Sequence, residues 1–545
     1  MIWQAWLERQ QPTQVPGETP SAASRPAPGA DLPPDAPASA TPGDVPQAPA
    51  TPATAPAPVQ DQPETRPAGA QRIRVTTDLL RVELDTLGGG PRRVELLTYP
   101  VEVDEPDNPV ALFHQDGGDL LFAQSGLIAR DRELPNHRTV YRAEQQSYTL
   151  QPGADRLEVP LHWSGPDGVE YSKVLVFERD SFVIGIEYRV RNTTDSPWEG
   201  YFYGQFLSRP LEEKRGFMLA PRNLSYVGGA VYTPADKYRK ISFDDIRDGE
   251  PPVTTDSGWV AMLQHYFVSA WLPEPQTGLQ FYSRDLDGRY NLGYKTTTPL
   301  VLAPGEQGVL RTRLYTGPKE HDRLEQLAEG MVLTVDYGWL TPVAAPLFWI
   351  LDWIHGVVRN WGWAIILLTV LIKLVFYPLS AASYKSMARM RALQPRMKTL
   401  KERYGDDRQK FNQAMMELYK TEKVNPMGGC LPIAVQIPVF IALYWVLIES
   451  VEMRQAPFAL WLQDLSSPDP FFVLPIIMGV SMLVQQLISP APMDPMQKKI
   501  MMALPIVFTG FFLLFPAGLV LYWTVNNILS IAQQWRINQV IGAKK

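Results

Sequence analysis

The residue that most needs a chemical explanation is Lys373. It is the one charge in Trp361–Ala382, WGWAIILLTVLIKLVFYPLSAA, a run long enough to cross a hydrocarbon core of roughly 30 Å, which takes about 20 apolar helical residues. A cation near the middle of a span costs on the order of 2.5–3.5 kcal/mol to insert, so it either reaches an interface or faces a hydrated cavity. Thr369 lies one turn earlier on the same helical face. Other polar residues interrupt later apolar runs: Gln436, then Gln485 and Gln486, then Tyr522, Trp523, Thr524, Asn526 and Asn527. Tyr522 with Asn526, and Trp523 with Asn527, are i,i+4 pairs that each form one face. Two readings fit these residues: interhelical hydrogen-bonding glue with Lys373 snorkelling toward an interface, or the lining of a hydrated polar cavity.

Composition narrows the remaining chemistry. A single cysteine, Cys430, excludes an intramolecular disulfide framework and a Cys-based zinc site, and the six histidines lack ligand spacing. No nucleotide or metal motif is present, so no cofactor, no metal and no catalytic group is expected in the membrane part. The net charge of -6 over 545 residues does not describe a nucleic-acid binder. In the middle of the chain Glu187, Asp244 and Asp245 have the type of acid/base groups, and Trp163, Tyr201 and Tyr203 could stack on sugars; solvated charges and sandwich-core aromatics explain the same residues.

These side chains must be positioned by five kinds of segment. Residues 1–10 contain MIWQAWL, which reads like the outer end of a transmembrane helix, with its tryptophans at interfacial positions. Residues 11–70 hold sixteen prolines and form an extended linker. Residues 71–330 alternate in short runs, as in SFVIGIEYRVRN, where Phe182, Ile184, Ile186, Tyr188 and Val190 point one way and Glu187, Arg189 and Arg191 the other. They predict a large antiparallel β-sandwich. Within 331–360, Leu347, Ile350, Leu351, Ile354, Val357 and Val358 recur at helical spacing opposite Asp352, His355 and Arg359, which predicts an amphipathic helix in the membrane interface.

Residues 361–545 predict an all-α polytopic bundle with spans at about 361–382, 428–448, 470–489, 500–516 and 518–535. The last two divide an uncharged run of 36 residues at Phe515-Pro516-Ala517-Gly518, each half short for a bilayer and suited to thinned lipid. Between the first two spans lies a helical hairpin, 384–425. Its stretch Tyr384–Lys423 has eleven Lys/Arg against five Asp/Glu, and Met387, Met390, Met397, Met415 and Met416 give it soft apolar faces. The loop Glu449–Asp469 instead has one basic residue against four acidic. That asymmetry places the hairpin and C-terminus in the cytoplasm and the β-domain outside it.

The run from YPLSAASYKSMARMRALQPRMK through NPMGGCLP, RQAPFALW and FPAGLVLYW resembles the YidC/Oxa/Alb family of membrane protein insertases, of the proteobacterial type with a large periplasmic domain. The resemblance is specific over Leu333–Gln534, and the β-domain and linker extend it over nearly the whole chain. It implies a mutarotase-like supersandwich in the periplasm and, in the inner membrane, a bundle enclosing a hydrophilic groove. Lys373 matches a positively charged groove position where relatives usually carry arginine, and lysine lacks the planar donor fork. Thr369 matches a position that contacts nascent chains. Tyr522 and Trp523 stand where the family has a substrate-contacting tyrosine pair, and Gln436 and Asn526 complete the expected groove. The missing first helix, which relatives end in a similar IWQAW, supports a late start. The implied partners are nascent membrane proteins, the ribosome, the Sec translocon with its accessory subunits, and lipid, with no specific nucleic-acid sequence. A secondary transporter binding a small anion at Lys373 is the rival reading, and a membrane-anchored carbohydrate-modifying enzyme acting through the β-domain is a third.

Overall fold

The computed structural model describes residues 44–47, 69–114, 120–165, 168–209, 225–274, 278–404, 407–422, 431–488 and 495–542. The anchor remnant at 1–10, most of the linker, the hairpin turn at Gly405-Asp406, the segment 425–430 and Lys544-Lys545 lie outside them.

Alternation sets the middle of the chain. In Val183–Arg191, Ile184, Ile186, Tyr188 and Val190 are buried while Arg189 and Arg191 are exposed, because residues two apart on a strand share a face. This strand pairs antiparallel with Glu170–Glu178 and Gln307–Pro318 inside a nine-stranded sheet. A six-stranded antiparallel sheet is built around Trp198–Arg209, and a five-stranded one around Leu80–Asp85 and Gly90–Pro100. Rings close the space between sheets, Phe202 on Tyr188 with centroids 5.6 Å apart and Phe206 on Trp271 at 6.0 Å. The expected antiparallel β-sandwich is therefore the fold of this domain.

The acid/base candidates there have structural partners. Glu187 sits among Arg189, Arg311 and Arg156. Asp244 pairs with Arg247, and Asp245 forms a capping box with Ser242 at the start of α1 (Phe243–Arg247). Tyr201 and Tyr203 are buried and Trp163 is half-buried, so these rings are not an exposed sugar platform.

After α2 (His321–Leu327) comes α3 (Thr341–Val358), which buries Ala344, Phe348, Leu351 and Ile354 and exposes Trp349, Trp353 and Val357. The buried stripe is thus shifted from the expected one, with Val357 turned outward. The helical part continues with α4 (Trp361–Val375), α5 (Tyr377–Tyr404), α6 (Arg408–Thr421), α7 (Leu431–Glu449), α8 (Val473–Ile488), α9 (Pro495–Phe512) and α10 (Ala517–Gly542).

The span expected over 361–382 is not one helix: α4 and the start of α5 meet at 61°. Pro378 lacks an N–H and its ring crowds the carbonyl four residues back, that of Leu374, which breaks the helix at this point. By length and composition, Gly338–Val358 is the one continuous described helix able to cross a bilayer; Val435–Glu449, Val473–Ile488 and Lys499–Phe512 are shorter apolar helices. The break expected near Pro516 is present, and α10, with 26 residues, continues past the end of the uncharged run at Trp535.

In the hairpin, Leu393 and Met397 are buried against Met390, Leu418 and Tyr419, so Met390 and Met397 serve helix–helix packing while Met416 is exposed. Asp407 caps α6 by accepting from the N–H groups of Gln409 and Lys410.

The β-domain and bundle are bonded together. The Arg454 guanidinium donates to the carbonyls of Pro100 and Val101, and Gln455 Nε2 to that of Pro100. Glu452 accepts from the backbone N–H of His321 at 3.2 Å and lies 3.0 Å from its Nδ1. The Ser225 hydroxyl donates to Glu449 at 2.6 Å.

Candidate functional site

The bundle exposes apolar side chains and buries a polar set within its apolar core. Leu367, Leu371 and Leu374 of α4, Ile476, Val480, Val484 and Leu487 of α8, and Ile506 and Val507 of α9 are exposed. Thr369, Lys373, Ser380, Ser383, Ser481, Thr524, Asn527, Ser530 and Gln534 are buried. Contiguous exposed apolar surface of this extent is what lipid covers.

Lys373 is turned inward. It is 8% exposed, and its Nζ donates to Ser530 Oγ at 2.7 Å across the contact of α4 with α10. Tyr384 of α5 lies beside the same hydroxyl. Among the described residues no carboxylate stands within ion-pair distance of Lys373. Thr369 is buried one turn above, its hydroxyl donating back to Ile365 O at 2.7 Å.

The α10 side of this seam consists of Thr524, Asn527, Ser530 and Gln534, at steps of three and four that keep one helical face. Asn527 Nδ2 donates to Ser481 Oγ of α8 at 3.2 Å. Thr524 and Ser530 donate to the carbonyls of Val520 and Asn526, each four residues back on α10. The hydroxyls are satisfied within their own helices, so few bonds cross the seam.

Tyr522 and Trp523 face elsewhere. Tyr522 is buried and stacks on Phe440 of α7 at 6.0 Å, and Trp523 meets Phe440 edge-on at 4.5 Å and Phe512 of α9 at 5.2 Å. Together they form an aromatic edge beside the polar seam.

Of the six residues expected to line one groove, the structure brings Lys373 and Thr369 into the seam and Tyr522 and Trp523 into the adjoining aromatic edge. Asn526 is half-buried and contributes its carbonyl to Ser530, while the buried asparagine is its neighbour Asn527. Gln436 is half-buried near the start of α7 and makes no side-chain hydrogen bond among the described residues. Sequence reasoning missed Ser380, Ser383, Ser481, Ser530 and Gln534. The signal was present in the spacing of Thr524, Asn527, Ser530 and Gln534.

The loop 450–472 closes one end. Asp469 accepts from Trp461 Nε1 and from the N–H groups of Phe471 and Leu474, and Asp464 from those of Gln455 and Ser466. The first N–H groups of α10, Ala517 and Gly518, donate to Ser467 O and Leu465 O, satisfying a helix start that would otherwise be bare. On α8, Gly479 lets α9 approach so closely that a Cβ there would meet Thr509 Oγ1 at 2.0 Å.

A β-sandwich docked on a bundle with a buried cationic seam defines a membrane-embedded protein with a large domain outside the lipid. Residues 353–544 match the family model described as 60Kd inner membrane protein, and residues 72–350 that described as YidC periplasmic domain. A membrane protein insertase YidC of Methylobacillus flagellatus is 53% identical over 476 residues, 87% of this chain and 85% of that protein. One of Thioalkalivibrio sulfidiphilus is 48% identical over 561 residues, 99% of this chain and 96% of that protein. A solved active YidC insertase, with its first transmembrane domain resolved, covers 85% of this chain and 91% of its own at 18% identity and TM-score 0.39. A galactose mutarotase related enzyme from Lactobacillus acidophilus covers 45% of this chain at 8% identity and TM-score 0.30. The chain belongs to the YidC family of inner-membrane protein insertases.

Proposed function

We propose that the Lys373 seam receives the polar leading segment of a nascent membrane protein from the cytoplasm and releases its hydrophobic segment sideways into lipid. The observation that carries this reading is a buried ammonium with a hydroxyl partner and no carboxylate among the described residues. Such a charge is costly to keep unless an acidic group comes to it. A substrate carboxylate supplies that group, and a polar seam spares the entering segment part of its desolvation.

Opening the seam breaks few bonds, since most of its hydroxyls stay bonded to their own helices. The bonded loop 450–472 keeps the far end shut. The exiting apolar segment passes Tyr522 and Trp523 and gains about 25 cal/mol per Å² of surface buried in lipid. The shortness of α4 and α8, 15 and 16 residues, fits locally thinned lipid.

Positive-inside asymmetry puts the α5–α6 hairpin and the C-terminus in the cytoplasm, where their basic surface receives ribosomes, and puts the β-domain in the periplasm. The protein works alone or beside the Sec translocon and its accessory subunits. With α3 lying in the interface on its exposed Trp349 and Trp353, the domain limits are those read from the sequence.

Photocrosslinkers at positions 369, 522 and 523 test the route with a stalled nascent membrane protein. Adducts at all three are expected. Absence at every position overturns the route and favours a small-anion transporter.

A further inference from the structure

The outer face of strand Trp198–Arg209 is covered by something that does not belong to the sandwich. Its core-facing residues Phe202 and Phe206 pack inward, but Tyr201, Tyr203 and Gln205, which alternate to the other side, are as completely buried, Tyr203 and Gln205 at 0% exposure. The cover is the loop around His137 together with Asp44–Gln47, four residues of the proline-rich linker.

Every part of that short segment is read by the β-domain. The Asp44 carboxylate takes His137 Nε2 at 3.0 Å on one oxygen and the Arg138 guanidinium on the other. The Tyr203 hydroxyl lies 2.6 Å from His137 Nδ1 and also accepts the His137 backbone N–H. The tautomer that satisfies all of these contacts has Tyr203 donating to Nδ1 and Nε2–H donating to Asp44. The Asp44 carbonyl accepts from Gln205 Nε2 at 3.0 Å and Asn291 Nδ2 at 3.4 Å, and the Gln47 carbonyl from Lys295 Nζ at 2.6 Å. The Val45 side chain packs on Ile128, Tyr201 and Tyr203.

The donor set explains what chain fits. The cleft offers donors to backbone carbonyls and, to a carboxylate, an imidazole N–H and a guanidinium, and among the described residues it takes no backbone N–H. An extended segment containing proline satisfies it without loss, because proline has none to offer. Burial alone would push the Asp44 carboxyl up; the hydrogen bond from His137 and the Arg138 guanidinium outweigh it and hold it down at about 2.

We infer that this cleft is a receptor for extended, aspartate-bearing, proline-containing peptide, which the linker's own Asp44-Val45-Pro46-Gln47 occupies in cis as a displaceable plug. The linker holds two further Asp-aliphatic-Pro triplets of the same pattern, Asp31-Leu32-Pro33 and Asp35-Ala36-Pro37. A tethered occupant competes at an effective concentration of order millimolar, so a peptide from another polypeptide enters only when the plug is out. The inference concerns the β-domain and does not rest on the insertion route.

The test uses the full chain in detergent micelles and a fluorescent, end-blocked peptide PGDVPQAP, read by anisotropy. The D31N/D35N/D44N variant, which removes the aspartate from each of these three triplets, is expected to bind the peptide at least about tenfold more tightly than the unmodified chain. The same peptide with Asn for Asp should not bind, and adding R138A or H137A should remove binding. R138A changes a partly exposed side chain, and an unchanged β-domain melting temperature in that variant separates loss of binding from loss of fold. Equal binding by both proteins, or none by either up to about 5 mM, overturns the inference. The same holds if D31N/D35N/D44N lowers the β-domain melting temperature and binds nothing, which makes the segment a structural tether only.

Discussion

Two buried polar clusters of this molecule are built on opposite principles. In the β-domain, Asp44, His137, Tyr203, Gln205, Gln124 and Tyr282 bond to one another across elements far apart in sequence. In the bundle, Thr369, Thr524 and Ser530 donate back to their own helices, while Lys373–Ser530, Asn527–Ser481 and Gln534 to the Ile488 carbonyl are among the bonds that cross. A cross-linked network holds one arrangement, because breaking any bond leaves a buried group unpaired. A self-satisfied seam separates at little cost. The first suits recognition of a fixed shape, the second a passage that opens for many sequences.

The largest expected effect breaks the seam side of that contrast. Lys373→Glu should lower insertion of acidic-tailed substrates by about a hundredfold, the equivalent of ~2.5–3.5 kcal/mol for misplaced charge, while Lys373→Arg keeps it. Insertion assays on an acidic-tailed and a neutral-tailed substrate check this, and equal activity of the three proteins would remove charge attraction from the route. Next, Tyr203→Phe should destabilise the β-domain by ~1–3 kcal/mol, since it orphans His137 inside a closed network. Thr524→Val, which removes a seam hydroxyl that donates within its own helix, should change bundle unfolding by less than ~1 kcal/mol. Chemical denaturation of the two variants sharpens the comparison, and similar losses would erase it.

The remaining prediction is a pH dependence. Burial, with a further push from the Arg92 charge, holds the Lys173 ammonium down to about 7 although it donates to Gly88 O and Ser125 Oγ. The unfolded chain keeps its proton up to the ordinary lysine range, so between about pH 7 and 10 the unfolded state binds more protons and stability rises with pH, by up to ~1.4 kcal/mol per unit. Lys319, buried and held down to about 8, adds a similar rise above that value. Thermal melts between pH 7 and 9 should show the rise, and Lys173→Met should flatten its lower part; an unchanged slope in that variant would assign the effect elsewhere.

Much of this architecture was legible residue by residue. The alternation of Ile184, Ile186, Tyr188 and Val190 predicted the sandwich, and Asp407 was readable as the cap of α6. The bend after Val375 was written in Pro378, yet the apolar run around it concealed the break. Tyr201 and Tyr203 fit either a sugar platform or a sandwich core by type, and the core reading is the one the structure bears out; part of their cover comes from more than 150 residues upstream in the chain. Asn526 was chosen over Asn527 because a one-residue difference in helix facing depends on where α8 sits.

What the chain alone determined was the division into linker, sandwich and helical bundle, and the presence of one cation in an apolar span. Those properties follow from local period and composition, which each segment carries with it. Only the tertiary structure decided that Lys373 meets Ser530, 157 residues away, and that Asp44 meets His137, 93 residues away. Such partners depend on how helices cross and which face of a sheet is covered, and a local pattern specifies that a face is buried without specifying against what.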